Sequence, residues 1–367
     1  MDGHEPAAGP QRNNTGMRKI MKMSAISAFI LLALCSTLSA QSAQDSATLA
    51  PDGTAYITRV IPMPSTISPE AQKWLASLTT LKSGPQTLAE RRIATDEWRK
   101  KDSAEARKLY PVNIQETSIA GVRTDVITPL ATPEANRNRV LINLHGGGFN
   151  SDSGSLIEGV PISNLAKTKV VSVYYRLAPE NHFPAAVDDV VAVYKELLKT
   201  YKPHDIGIFG TSAGATLTAE VAVRLKQLNI PLPAALGMFS VHPDFSRPTD
   251  SQEFFGLNGI AGDLQPQDPN RPPEDLYPGN TDRKNPVLSP IFADLAGMPA
   301  SLLVTSTRDL LLSDTAMFHL ALLRAGVDAQ LVVFEALPHG FWYHFQMPET
   351  KEALQLMADF FDKKVGR

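Results

Sequence analysis

Beyond about residue 110 the chain alternates between two kinds of hydrophobic pattern. Short runs rich in aliphatic and β-branched residues have the length of buried strands: VRTDVITP (122–129), RVLINLHGGGF (139–149), KVVSVYYRLAP (169–179), HDIGIFGTSAG (204–214), ALGMFSVHP (235–243), ASLLVTSTRD (300–309) and AQLVVFEALPHG (329–340). Stretches with helical spacing separate several of them, at 184–200, 213–228, 314–325 and 350–364. Strands alternating with helices predict an α/β fold, with a mainly parallel sheet covered on both faces. From about Ser65 to Tyr110 the pattern is helical. SPEAQKWLASL (68–78) starts with a serine cap and a proline at the first helical position, and a longer amphipathic run, 87–110, stops at Pro111.

One region breaks the rhythm. Residues 245–284 are long, Pro/Gly-rich and dotted with aromatics. Loops of that size in a compact domain are usually functional, and ligands of open α/β sheets bind at the carboxyl ends of the strands. The insertion therefore reads as part of a cap over that edge.

The start of the chain is of another kind. Residues 17–43 have a basic beginning (Arg18, Lys19, Lys22), an apolar stretch from Ala25 to Leu34, and then small residues. This is the three-part pattern of a secretory signal, and the apolar stretch is shorter than the ~20 residues of a membrane span. The expected organisation is a leader and signal over 1–43, a helical cap segment over 44–110, and a catalytic domain over 111–367 carrying the insertion. Export to the periplasm or medium follows, with no stable span in the mature chain. The single cysteine, Cys35, falls inside the signal, so the mature chain has neither a disulfide nor a cysteine nucleophile. A net charge of −3, from 35 basic and 38 acidic residues, makes no electrostatic case for nucleic acid.

Chemistry concentrates at the predicted strand ends. In GTSAG (210–214), Ser212 stands between a strand and a helix, where it could cap the helix or act as a nucleophile. The choice depends on partners elsewhere in the chain. Three glycines follow the strand at 141–144, and the P-loop ending that would mark a phosphate site is missing. Such a run can aim bare N–H groups at one point, as acyl transfer requires, and the N–H of Ala213 adds a donor. His145 opens this loop and reads as a residue that shapes it. Among the other histidines His339 stands out, in a short loop after a buried-looking strand, with His344 in reserve; His242 follows a strand end and could line the site. Asp309 comes soon after a strand end, whereas Asp314 starts a helix, where the dipole favours a carboxylate. The order Ser212, Asp309, His339 is that expected of an α/β-hydrolase.

The motifs HGGGF (145–149), YYRLAPE (174–180), FPAAVDD (183–189), GTSAG (210–214), TRDLLLSD (307–314) and LPHGF (337–341) together resemble the bacterial hormone-sensitive-lipase-like esterases, in its smaller GTSAG branch. The commoner variant has aspartate at the position of Thr211. The resemblance covers roughly Val122 to the C-terminus. It implies an α/β-hydrolase fold with a mostly helical cap, a Ser212–His339–Asp309 triad, and an oxyanion hole from Gly147, Gly148 and Ala213. His145, Gly146, Phe149 and Thr211 fall within these motifs as loop-supporting or substrate-lining residues. Arg176, Glu180 and Asp189 are expected to form one polar network bracing the glycine loop. The implied activity is hydrolysis of short to medium acyl esters through an acyl-enzyme, with water as second substrate, no metal or other cofactor, and a possible homodimer. The rival readings are a peptidase or amidase of the same fold and a non-catalytic binding protein. The second of these is opposed by the presence of His339.

Overall fold

A computed structural model describes residues 45–78, 87–152, 155–255 and 276–366. The expected signal over 1–43 and the middle of the 245–284 insertion lie outside these residues. The described chain forms two units, divided after Met63. The first holds an antiparallel hairpin of β1 (Ser46–Leu49) and β2 (Ala55–Thr58), with Ser46 opposite Thr58. These extended strands fall in the part of the 44–110 segment before residue 65, from which the sequence places its helices.

The second unit is built on an eight-stranded sheet. Its strands are β3 (Val112–Ile119), β4 (Val122–Pro129), β5 (Val140–Leu144), β6 (Lys169–Val173), β7 (Ile206–Thr211), β8 (Ala235–Phe239), β9 (Ala300–Ser306) and β10 (Ala329–Phe334). They lie in the order β3-β4-β6-β5-β7-β8-β9-β10. β4 runs antiparallel to both its neighbours, and every pairing from β6 to β10 is parallel.

The central strands are apolar without interruption because helices cover them on both faces. Alternate residues then feed two separate cores. Val140, Ile142, Ile208, Leu236, Met238 and Leu303 join one core, beneath α4 (Ala185–Leu197), α5 (Ala213–Gln227) and α7 (Leu312–Arg324). Leu141, Phe209, Phe239, Leu302 and Val304 face the other, beneath α3 (Ser155–Ala166) and α8 (Pro348–Lys364).

The two predicted N-terminal helices are present as α1 (Pro69–Ser77) and α2 (Leu88–Leu109). Ser68 caps α1 by accepting from the Ala71 N–H, and its hydroxyl donates to Glu349 of α8 at 2.8 Å. A reciprocal Thr87–Glu90 capping box starts α2. A short helix, α6 (Asp250–Phe255), begins within the insertion. Among the described residues no helix is long and apolar enough to cross a membrane.

Candidate active site

Ser212 sits between β7 and α5 with φ 58° and ψ −119°, a conformation that side chains other than glycine rarely adopt. The turn is held by the Ser212 N–H donating to the Phe239 carbonyl at 2.8 Å and the Thr216 N–H donating to the Ser212 carbonyl at 3.0 Å. Its glycines are sterically required. A Cβ on Gly210 would lie 2.1 Å from the Leu144 carbonyl oxygen, and one on Gly214 only 1.8 Å from it. Backbone cannot step aside as a flexible side chain does. Gly214→Ala is therefore expected to yield insoluble protein or a loss of about 4 kcal/mol or more, read by chemical denaturation. A stable, active variant would show that the turn is looser than this packing.

The Ser212 hydroxyl makes no cap bond, and among the described residues it makes no other hydrogen bond. The choice left open by the sequence falls against a capping role. Opposite it, the glycine loop turns through three successive positive φ values: Gly147 at 105°, Gly148 at 60° and Phe149 at 62°. A Cβ on Gly147 would fall 2.2 Å from the Ser151 carbonyl oxygen. None of the Gly147, Gly148 and Ala213 N–H groups donates to a described partner. They are unspent donors at the carboxyl edge of the sheet.

His339 follows β10, and its Nδ1–H donates to Asp309 Oδ1 at 2.8 Å. Asp309 is fully buried. The Leu311 N–H donates to Oδ1 at 2.8 Å, while Thr305, at 3.0 Å, and Ser240 donate to Oδ2. Burial pushes the Asp309 carboxyl upward. The positive charge and hydrogen bond of His339, with Ser240 and the Leu311 N–H, outweigh it and hold the group below the ordinary aspartate value.

Asp314 differs from its expected role. It is buried on α7, accepts from His242 Nδ1 at 2.7 Å, and also accepts from the Thr249 hydroxyl. A second histidine–carboxylate pair thus lies on the same edge, where the sequence suggested only a favourable charge at a helix start. His344 packs against Trp74 with centroids 4.1 Å apart and the rings tilted by 38°, and burial lowers it to about 4. It has no described carboxylate partner.

The glycine loop is braced by groups that the sequence reading only half anticipated. His145 stacks on Tyr175 (4.1 Å between centroids, 9° between planes) and its Nδ1 lies 2.8 Å from the Gly146 carbonyl. Phe149 stacks on Tyr277 at 3.6 Å. The expected Arg176–Glu180–Asp189 network is two separate pairs. Arg176 joins Asp189 at 2.8 Å, while Glu180 takes two bonds from Arg92 of α2. Arg92 also donates to the Asn150 carbonyl at 2.6 Å and the Ala178 carbonyl at 2.8 Å, so α2 is tied directly to the glycine loop. That arginine lies among several cations of one amphipathic helix, with no local motif to mark it.

A second missed residue lies under the site. Glu158, 2% exposed on α3, accepts from Asn143 Nδ2 at 2.8 Å and from the Tyr343 hydroxyl. Burial lifts its carboxyl to about 7, although the Thr211 hydroxyl, Tyr343 and Asn143 favour the anion. A folded value raised from 4.5 means that this group's stability contribution is full below that value and is lost as pH rises through about 7. Keeping Glu158 ionised costs stability.

A half-buried serine in a strained strand–helix turn, a histidine paired with a buried aspartate, and backbone donors without a described partner share one edge of a mainly parallel sheet, as in a hydrolase-type site. Residues 141–343 match the α/β-hydrolase fold family, and the chain belongs to it. It is similar to an esterase of Acinetobacter venetianus, 32% identical over 69% of this chain and 84% of that protein. An acetyl-hydrolase of Streptomyces hygroscopicus is 32% identical over 64% of this chain and 79% of its own length. Among solved structures, one of an esterase superposes with a TM-score of 0.73 at 31% identity, covering 87% of this chain and 99% of that one. Another, of an esterase from the bacterial hormone-sensitive lipase family, gives 0.68 at 27% identity, covering 81% and 98%.

Proposed function

We propose that the protein is a carboxylic ester hydrolase acting on short to medium acyl esters through an acyl-enzyme. The observation that carries this is Ser212, whose unbonded hydroxyl stands at the tip of a strained turn on the edge that carries the His339–Asp309 pair. His339, with its Nδ1 proton held by Asp309, has Nε2 as the nitrogen able to take the Ser212 proton. The serine oxygen then attacks the ester carbonyl, and the N–H groups of Gly147, Gly148 and Ala213 meet the oxyanion. The imidazolium returns its proton to the departing alcohol. Water repeats the sequence, frees the acid and restores Ser212. The similar proteins named esterase and acetyl-hydrolase support this choice of leaving group.

The deciding experiment is an initial-rate series over p-nitrophenyl esters from acetyl to dodecanoyl, with a matched anilide. Turnover falling off at long chains, with the anilide far slower, is expected. Comparable ester and anilide rates would make the protein an amidase, and binding without turnover would make it a receptor. The helices of 64–110 belong to the proposed cap, and the Arg92 bonds to the glycine loop favour that role. Export through the 1–43 segment and a homodimer complete the reading, to be checked by N-terminal sequencing of the secreted protein and by sedimentation.

A further inference from the structure

We propose that Glu158 is a positioning residue for the nucleophile turn, its carboxylate tying together the three segments that carry the candidate site. The inference rests on the hydrolase reading above. Asn143, which donates to Oε2 at 2.8 Å, lies on β5 two residues before His145 and the glycine loop. Tyr343, which donates to Oε1, lies four residues beyond His339. Thr211, whose hydroxyl also favours the Glu158 anion, immediately precedes Ser212.

The donors around the carboxyl favour its anion. Trp342 Nε1–H donates to Thr211 Oγ1 at 2.9 Å, so the threonine keeps its own proton to give away. Ser172 Oγ donates to Asn143 Oδ1 at 3.1 Å, with the amide NH2 toward Glu158. An anion satisfies the Asn143 and Tyr343 donors at once and is favoured by the Thr211 hydroxyl. A protonated carboxyl brings a fourth donor into a buried space, and one neighbour must turn away. The indole N–H has no acceptor form, so the adjustment falls on the hydroxyls of Thr211 and Tyr343, or on the Asn143 amide with Ser172 rotating to accept from it. Thr211 passes directly into the strained backbone of Ser212. A change there is felt at the nucleophile, with no contact between Glu158 and substrate.

Burial sets this carboxyl at about 7, so the rearrangement falls in the neutral range. The surrounding charges are few. Asp152 of the glycine loop pushes the value up; it pairs with Arg99 of α2 at 3.2 Å and lies 3.7 Å from His145 Nδ1. Asp125 of β4 is engaged by Tyr174, and Glu349 of α8 by Ser68. No described cation bonds to Glu158.

The experiment compares kcat for p-nitrophenyl butyrate in wild type and Glu158→Gln from pH 5 to 9. Taking the ratio cancels any pH dependence that both proteins share. The ratio should be roughly 10-fold above pH 8 and close to about 2-fold below pH 6, through one ionisation near 7, with KM unchanged. Glu158→Asp should restore part of the alkaline rate and keep the pH dependence. A ratio that is flat with pH, or within 2-fold at pH 8, overturns the proposal. Should Glu158→Gln fail to melt cooperatively, Tyr343→Phe decides. Losing a donor to the anion must shift the acid limb of kcat to higher pH, and an unmoved limb overturns the proposal equally. Absence of ester turnover in wild type would instead sink the hydrolase reading itself.

Discussion

Ser212→Ala is expected to lower kcat for short esters by on the order of 10⁶ while leaving the fold intact. The hydroxyl makes no hydrogen bond among the described residues, so its removal leaves no buried partner unsatisfied. Alanine tolerates φ 58° about as poorly as serine does, so the strain of the turn is nearly unchanged. Stability should stay within about 0.5 kcal/mol of wild type. The N–H groups of the glycine loop and of residue 213 survive, and a slow residual rate from them, above that in water, is expected. A cooperative melt at the wild-type temperature, combined with a single-turnover assay, separates loss of chemistry from loss of structure. Hydrolysis within 10-fold of wild type would remove Ser212 from the mechanism.

How much of this was legible in the sequence depended on burial. β5, β7, β8 and β9 are covered on both faces, so their residues are apolar in succession and easily read. β3 was missed because it is an edge strand whose NIQETS stretch is mostly exposed and polar. The hairpin of 46–58 was missed for a similar reason, since its eight strand residues are all exposed and carry no burial alternation. α3 was not placed from sequence, and it carries Gly159 and Pro161, the poorest helix formers, in its interior. The glycine has a packing cause. A Cβ there would come within 2.6 Å of Ile127 Cδ1 and 2.7 Å of Ser172 Oγ, so those side chains would have to shift to admit one. Missing α3 also hid Glu158. The residues placed by motif, Ser212, Asp309, His339 and the glycine loop, were found because each follows a recognisable strand. Arg92 reaches the site from 58 residues away in sequence, through a tertiary contact that local pattern does not encode.

The site offers two histidine–carboxylate pairs, and one substitution in each tells which of them supports the chemistry. Asp309→Asn keeps the side chain's shape and removes its charge. In serine proteases the equivalent change costs about 10⁴, because the amide presents its NH2 to the histidine and enforces the wrong tautomer. Here the Leu311 N–H donates to the same oxygen that meets His339, and a backbone N–H has no acceptor form. The amide oxygen must therefore stay on that side. Its NH2 turns toward Ser240 and Thr305, hydroxyls that can rotate to accept. The reactive tautomer is kept, and only the charge that supports the imidazolium is lost. A fall in kcat of roughly 10²–10³ is expected, smaller than the protease case and larger than any structural effect. Asp314→Asn breaks a buried pair with His242 and Thr249, so it should cost about 1–3 kcal/mol of stability and leave kcat within a few-fold. Steady-state rates and denaturation curves on both variants separate the two effects. If Asp314→Asn is inactive and Asp309→Asn is not, the proton relay runs through His242, and His339 is the structural histidine of the pair.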